Sequence, residues 1–169
     1  GIKMSIQIGN EKILGGIGSI LILIGYIPAL GVLAIVGYTL TLIAVYQLSQ
    51  KLDKEIFKKF LNGVILEIIG IILAIIFGYS MIMSLASDKA GFTLSSFIFM
   101  VIAFILFIVG ARFIYQAFKL LSEYTKINFF NLGGAFIFWG TVLMFIAIGY
   151  IGVIVGWTLI TIAFFTLPQ

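Results

Sequence analysis

The chain has 169 residues, 63% of them hydrophobic and 9% charged, with ten Lys and Arg against six Asp and Glu for a formal charge of +4. That composition lies outside the range of soluble domains of this size and reads as an integral membrane protein. With no Cys and no His, thiolate and imidazole chemistry is absent, so haem, iron–sulfur, zinc and copper sites are not expected, and no cofactor or metal is implied.

The first apolar block, residues 13–48, is too long for one crossing of about 30 Å of hydrocarbon and suits two short crossings. The stretch GYIP at 25–28 breaks it, because Pro28 disfavours helix at itself and at the residue before it. Spans are expected at 11–26 and 29–48. A cleaved signal peptide is not expected, since the first span runs on into a second apolar stretch without a small-residue processing site. The linker LSQKLDKEIFKKFLNG at 48–63 mixes charges with Leu52, Ile56, Phe57, Phe60 and Leu61. It reads as the solvated start of the third helix, with Glu55 and Lys59 at i,i+4, more than as an interfacial helix that docks a cytosolic partner. The third span is expected at 61–85. The fourth follows at 96–119, capped by Ser95 and Ser96. The last block again suits two spans, 130–148 and 151–167, with its corner at GYIG, 149–152, or alternatively one kinked helix.

The chain echoes itself. LGG at 14–16 recurs at 132–134, and GYTLTLIAVYQLS from Gly37 recurs as GWTLITIAFFTLP from Gly156, which suggests an internal hairpin repeat over 14–49 and 132–168. Six spans put both termini on one side, together with Lys3, Lys12, Lys51, Lys54, Lys58, Lys59, Arg112, Lys119 and Lys126, and leave Lys89 on the other. Positive charge in short loops marks the cytoplasm, so both termini are expected inside, in a protein of the plasma membrane. Tyr26, Tyr79 and Tyr150 near the outer ends and Tyr46, Tyr115 and Tyr124 near the inner ends agree with interfacial belts.

Of the nineteen glycines, all but Gly1, Gly9 and Gly91 fall in spans or corners, as expected where helices associate through close backbone approach. Gly63, Glu67, Gly70, Ala74 and Gly78 share one stripe of the third helix. Ala103, Gly110 and Ala117 recur every seven residues in the fourth span, as Gly133, Gly140 and Ala147 do in the fifth. Gly152 and Gly156 form a GxxxG in the sixth. These are read as packing positions within one bundle, with a dimer face on Gly152 and Gly156 as the alternative.

Glu67 lies within an otherwise apolar run. An ionised carboxylate facing lipid is costly, so it should turn inwards and find a partner. Glu67 precedes the corner near 87–90 by about as many residues as Arg112 follows it, and an interhelical Glu67–Arg112 pair is expected, with Asn62 and Gln116 close by. The sequence holds no phosphate-cradling loop, no paired carboxylates and no Ser with a plausible base. An enzyme is therefore not expected, nor a nucleic-acid partner.

Three stretches, ILGGIGSILILIGYIPALGVLAIVG near the start, DKEIFKKFLNGVI in the middle and GWTLITIAFFTLP at the end, resemble a small, mainly archaeal integral-membrane family, the domain of unknown function number 996. The resemblance runs over nearly the whole chain. It implies a multi-span membrane protein and carries no assigned activity, ligand or catalytic residue. The expected fold is an all-α bundle of about six transmembrane helices arranged as short hairpins. Two functions suit it: a non-enzymatic accessory or structural membrane component that packs against lipid, itself or a larger complex; or a small oligomeric transporter or ion channel using Glu67 and Arg112.

Overall fold

The computed structural model describes residues 9–27, 29–87 and 90–168; Lys3, Pro28 and Lys89 lie outside the described residues. All the regular structure among these residues is helical: α1 (Glu11–Gly25), α2 (Val32–Lys51), α3 (Lys54–Ala86), α4 (Ala90–Thr125), α5 (Asn128–Val142) and α6 (Ala147–Thr166). Four segments are long and apolar enough to cross a membrane: α2, α3, residues Leu94–Thr125 of α4, and α6. The remaining two, expected as full spans, are only 15 residues each. At 1.5 Å per residue they reach about 22 Å, short of the ~30 Å of a hydrocarbon core.

The helices form a closed ring in which each adjoins its neighbours in chain order and α1 closes onto α6. Three hairpins result, with a long central one, α3/α4, between two short ones. The short hairpins are zipped through glycine. A methyl added at Gly37 of α2 would stand 2.5 Å from the Gly18 carbonyl oxygen of α1, and one at Gly156 of α6 would stand 2.7 Å from the Gly133 carbonyl oxygen of α5. In both hairpins the backbones themselves are in contact, which only a residue without a side chain allows.

The corners fall where the chain is apolar. The first lies between α1 and α2, with Ala29 in left-handed backbone at φ 76°. The second, expected at 149–152, lies instead at 143–146, and the glycines of GYIG sit inside α6. Gly149 serves contact, not helix breaking, because a methyl there would fall 2.1 Å from the Leu143 carbonyl carbon. Ser95 and Ser96 likewise do not cap α4, which begins earlier, at Ala90.

One end of the bundle gathers the charges. The Lys51 ammonium meets the Glu11 carboxylate at 2.5 Å. Asp53 caps α3 by accepting from the Glu55 N–H at 2.9 Å and accepts from the Tyr124 hydroxyl at 3.0 Å, tying the α2–α3 corner to the end of α4. The linker thus enters α3 directly. Glu55 pairs with Lys58 at 3.7 Å, whereas Lys59, its expected partner, reaches across to Gln116 at 3.5 Å.

Above this charged base sits an aromatic core centred on Phe118. Its ring lies 5.4 Å from Phe60, 5.9 Å from Phe130, 5.9 Å from Trp157 and 6.4 Å from Phe164, and all five side chains are fully buried. Edge-to-face pairs, each worth roughly 0.5–1.5 kcal/mol beyond the area buried, join α4, α5 and α6 at this level, and the tilted Phe60–Phe118 pair adds α3. The far half of α3/α4 differs: Ile72, Ile75, Ile76, Tyr79, Ile82, Phe97, Ile98 and Ile105 are all exposed.

Candidate functional site

Between the aromatic core and the two short corners lies a cavity of about 290 Å³. Five of the six helices or their corners wall it: Ile22 and Gly25 from α1, Tyr26 from the corner after it, Ala34 and Tyr38 from α2, Glu67, Ile71, Ala74 and Ile75 from α3, Phe107 from α4, and Thr141 and Met144 at the end of α5. Its boundary towards the charged base is set by Tyr38, whose ring lies 5.8 Å from that of Trp157, edge to face. The Phe118 cluster stands behind Trp157, so aromatic rings fill the bundle on that side.

Glu67 is the one carboxylate on this wall. It is 7% exposed. Gly110 of α4 makes room for it: a methyl there would stand 2.9 Å from Glu67 Oε1 and 3.2 Å from its Cγ. Gly63 and Gly70, one turn on either side of Glu67, press against α4 as well, Gly63 on the Gly110 carbonyl and Gly70 on the Phe107 ring. The stripe of small residues is therefore filled by α4 at these two positions and opens onto the cavity at Glu67 and Ala74. At Gly78 the nearest atom to an added methyl would be the Met100 sulfur at 3.6 Å, and the packing there is looser.

The expected pair with Arg112 is not formed. The two ion pairs among the described residues are Lys51–Glu11 and Lys58–Glu55, and Glu67 has neither an ion-pair nor a hydrogen-bond partner among them. The Arg112 guanidinium is exposed and lies over the rings of Tyr115 and Phe138, at 5.8 and 5.4 Å from their centroids. The reason is angular. Gly110 faces Glu67, and a residue two positions further on is rotated about 200° round the helix, onto the opposite face. Asn62 is exposed, and Gln116 is held by Lys59. Of the four residues expected to meet, Glu67 alone reaches the cavity.

Sequence reasoning missed the aromatic hydroxyls. Tyr26 and Tyr38 both lie within electrostatic reach of Glu67, and the Tyr26 hydroxyl stands near Tyr38 and Trp157. The Trp157 Nε1, on a fully buried side chain, nevertheless completes no hydrogen bond of ordinary geometry. Tyr26 is held from the far side by Tyr150 of α6, whose hydroxyl donates to the Tyr26 carbonyl and whose ring meets the Tyr26 ring edge to face at 5.8 Å. Gly152 and Gly156, the candidate dimer face, are used within the chain: Gly152 lies against Gly140, and Gly156 against Gly133 and Ile137.

The fold and this wall define an all-helical protein with span-length apolar helices around a cavity that holds a single unpartnered carboxylate. The chain belongs to the family described as Protein of unknown function (DUF996), whose model matches residues 33–158 and so takes in Tyr38, Glu67 and Trp157. It is 40% identical to an uncharacterized protein of Methanocaldococcus jannaschii, over an alignment that covers 99% of this chain and 96% of that one. No solved structure matches.

Proposed function

We propose that this chain is a non-enzymatic, multi-pass protein of the cell membrane that takes a small solute or ion into the cavity around Glu67 as the binding step of a transport cycle. The observation that carries the reading is the unpartnered, buried carboxyl on a cavity wall. A carboxylate withdrawn from water without a partner costs several kcal/mol, and polar groups kept at membrane depth mark pathways and binding sites. Arg112, turned away over two aromatic rings, has no part in it. The aromatic core between cavity and charged base favours a pocket reached from one side over an open channel. The lysines at the base, among them Lys12, Lys51, Lys54, Lys58, Lys59, Lys119 and Lys126, support cytoplasmic termini.

Dicyclohexylcarbodiimide, an apolar reagent that modifies carboxyl groups in apolar surroundings, tests this on protein in native membranes. Mass spectrometry is expected to find the adduct on Glu67 and no corresponding adduct in E67Q. The reagent reacts with the protonated acid, so labelling is run from acidic to neutral pH, and a Glu67 unmodified throughout at saturating reagent would mean a sealed cavity and would end the solute-site reading. A second reading, a packing component of a homo-oligomer or larger complex, is favoured by the far half of α3/α4, whose isoleucines and phenylalanines are exposed on both helices and face lipid or another chain.

A further inference from the structure

We propose that the ligand of this cavity is a small organic ammonium ion, a protonated amine on an apolar or aromatic body, with Glu67 as its counter-ion; this rests on the solute-site reading above and narrows it. The cavity offers one carboxyl and no cation to pair with it, since Arg112 lies over Tyr115 and Phe138 and Lys59 is held at Gln116. A ligand with a single positive charge pairs with that carboxyl in its ionised form.

The rest of the wall selects the kind of cation. A bare metal ion asks for about six oxygen ligands. The side chains here bring the Glu67 carboxylate, the Tyr26 and Tyr38 phenols and the Thr141 hydroxyl, the last already donating to the Ile137 carbonyl at 2.7 Å. Among the described residues no three acidic, His or Cys side chains come together. The remaining wall is aliphatic and aromatic. Faces of Tyr and Phe beside a carboxylate are the surroundings in which organic ammonium groups are bound, through attraction of the cation to the ring quadrupole.

Size agrees. An apolar cavity of about 150 Å³ holds one benzene, so 290 Å³ accommodates roughly twice that, a ring with a short aminoalkyl arm. A proton alone would need no such volume. In this pose the ammonium lies at Glu67, and the apolar body lies along Ile71, Ile75 and Met144.

The test uses the full chain in nanodiscs and isothermal titration with phenethylammonium chloride, with 2-phenylethanol as the uncharged analogue of the same shape. Saturable binding of the ammonium ion to wild type is expected, weakened about tenfold or more by E67Q, whereas the alcohol, with no charge to pair, loses far less to E67Q. A74F, which fills the cavity, is expected to abolish both. Thermal melts establish that each variant is folded, and A74F remains informative should E67Q fail to fold. Equal affinity for amine and alcohol, or amine binding that E67Q leaves intact, overturns the assignment. If the amine fails to bind while the carbodiimide still modifies Glu67, the ammonium assignment falls and the solute site stands. If neither occurs, both fall.

Discussion

The two short hairpins bury the same pattern of positions and present different chemistry to the centre. On α2 the buried residues are Ala34, Gly37, Tyr38, Thr41, Ala44, Val45 and, near its end, Leu48. On α6 and the residue after it, Val153, Gly156, Trp157, Ile160, Ala163, Phe164 and Leu167 occupy the matching places. Gly18 and Ile22 meet Gly37 as Gly133 and Ile137 meet Gly156. One packing solution thus serves twice. Where the first hairpin carries Tyr38 and Thr41, the second carries Trp157 and Ile160. The two phenols of the cavity wall, Tyr26 and Tyr38, come from the first hairpin, and much of the aromatic core from the second. Equal backbones leave the centre-facing side chains free to divide the work.

That comparison can be broken at its hinge. Leucine at Gly37 or at Gly156 would drive a side chain into the backbone of the facing helix, an obstacle that side-chain adjustment cannot relieve. Both variants should lose the folded, monodisperse form in gel filtration, well beyond the roughly 1–3 kcal/mol of ordinary overpacking. By contrast, Gly78→Ala on the looser far half should leave the melting curve nearly unchanged. If G37L were tolerated and G156L were not, the two hairpins would not be packing equivalents.

The centre-facing pair sharpens the difference. Trp157→Ala empties a fully buried site beside Phe118 and should cost about 3–5 kcal/mol in denaturant or thermal unfolding. Tyr38→Phe keeps the ring and removes the hydroxyl from the cavity, and should shift stability by only about 1 kcal/mol. Comparable in size and opposite in sign is Glu67→Gln. Replacing an unpartnered carboxylate by a neutral amide should stabilise the folded form by roughly 1–2 kcal/mol, read as a raised melting temperature. A lowered one would mean that Glu67 has a structural partner. A small loss is also expected for Arg112→Ala, which gives up an exposed cation–π contact worth about 0.5–1 kcal/mol.

How much of this was written in the sequence depends on the distance over which each feature is encoded. The helices were legible because apolar runs and charged linkers are local signals, as was the entry of the 48–63 linker into α3. The second corner was not, since GYIG reads as a helix break until the facing Leu143 backbone shows that Gly149 serves contact. The LGG echo at 14–16 and 132–134 misleads for a similar reason. Gly15 packs on the Phe164 ring, and it is Gly18 that does for the first hairpin what Gly133 does for the last. The inward turn of Glu67 followed from its stripe. The Arg112 error was avoidable, because Ala103, Gly110 and Ala117 already marked the buried face of α4, and Arg112 is out of phase with them. The cavity itself could not be read from the chain, because its wall is assembled from segments that span residues 22 to 144.

The ring of helices has a consequence for the order in which the molecule forms. Every backbone seam but one joins helices consecutive in the chain, so most of the fold can form locally, hairpin by hairpin, as low-contact-order topologies do. The α1–α6 seam is the exception: it must wait until the last helix has emerged. Tyr150 cannot engage Tyr26 until then, nor can Trp157 come to lie against Tyr38. The support behind the pocket is therefore a late product of assembly: a chain halted before α6 would carry every residue of the wall without the Tyr150 and Trp157 rings that back Tyr26 and Tyr38.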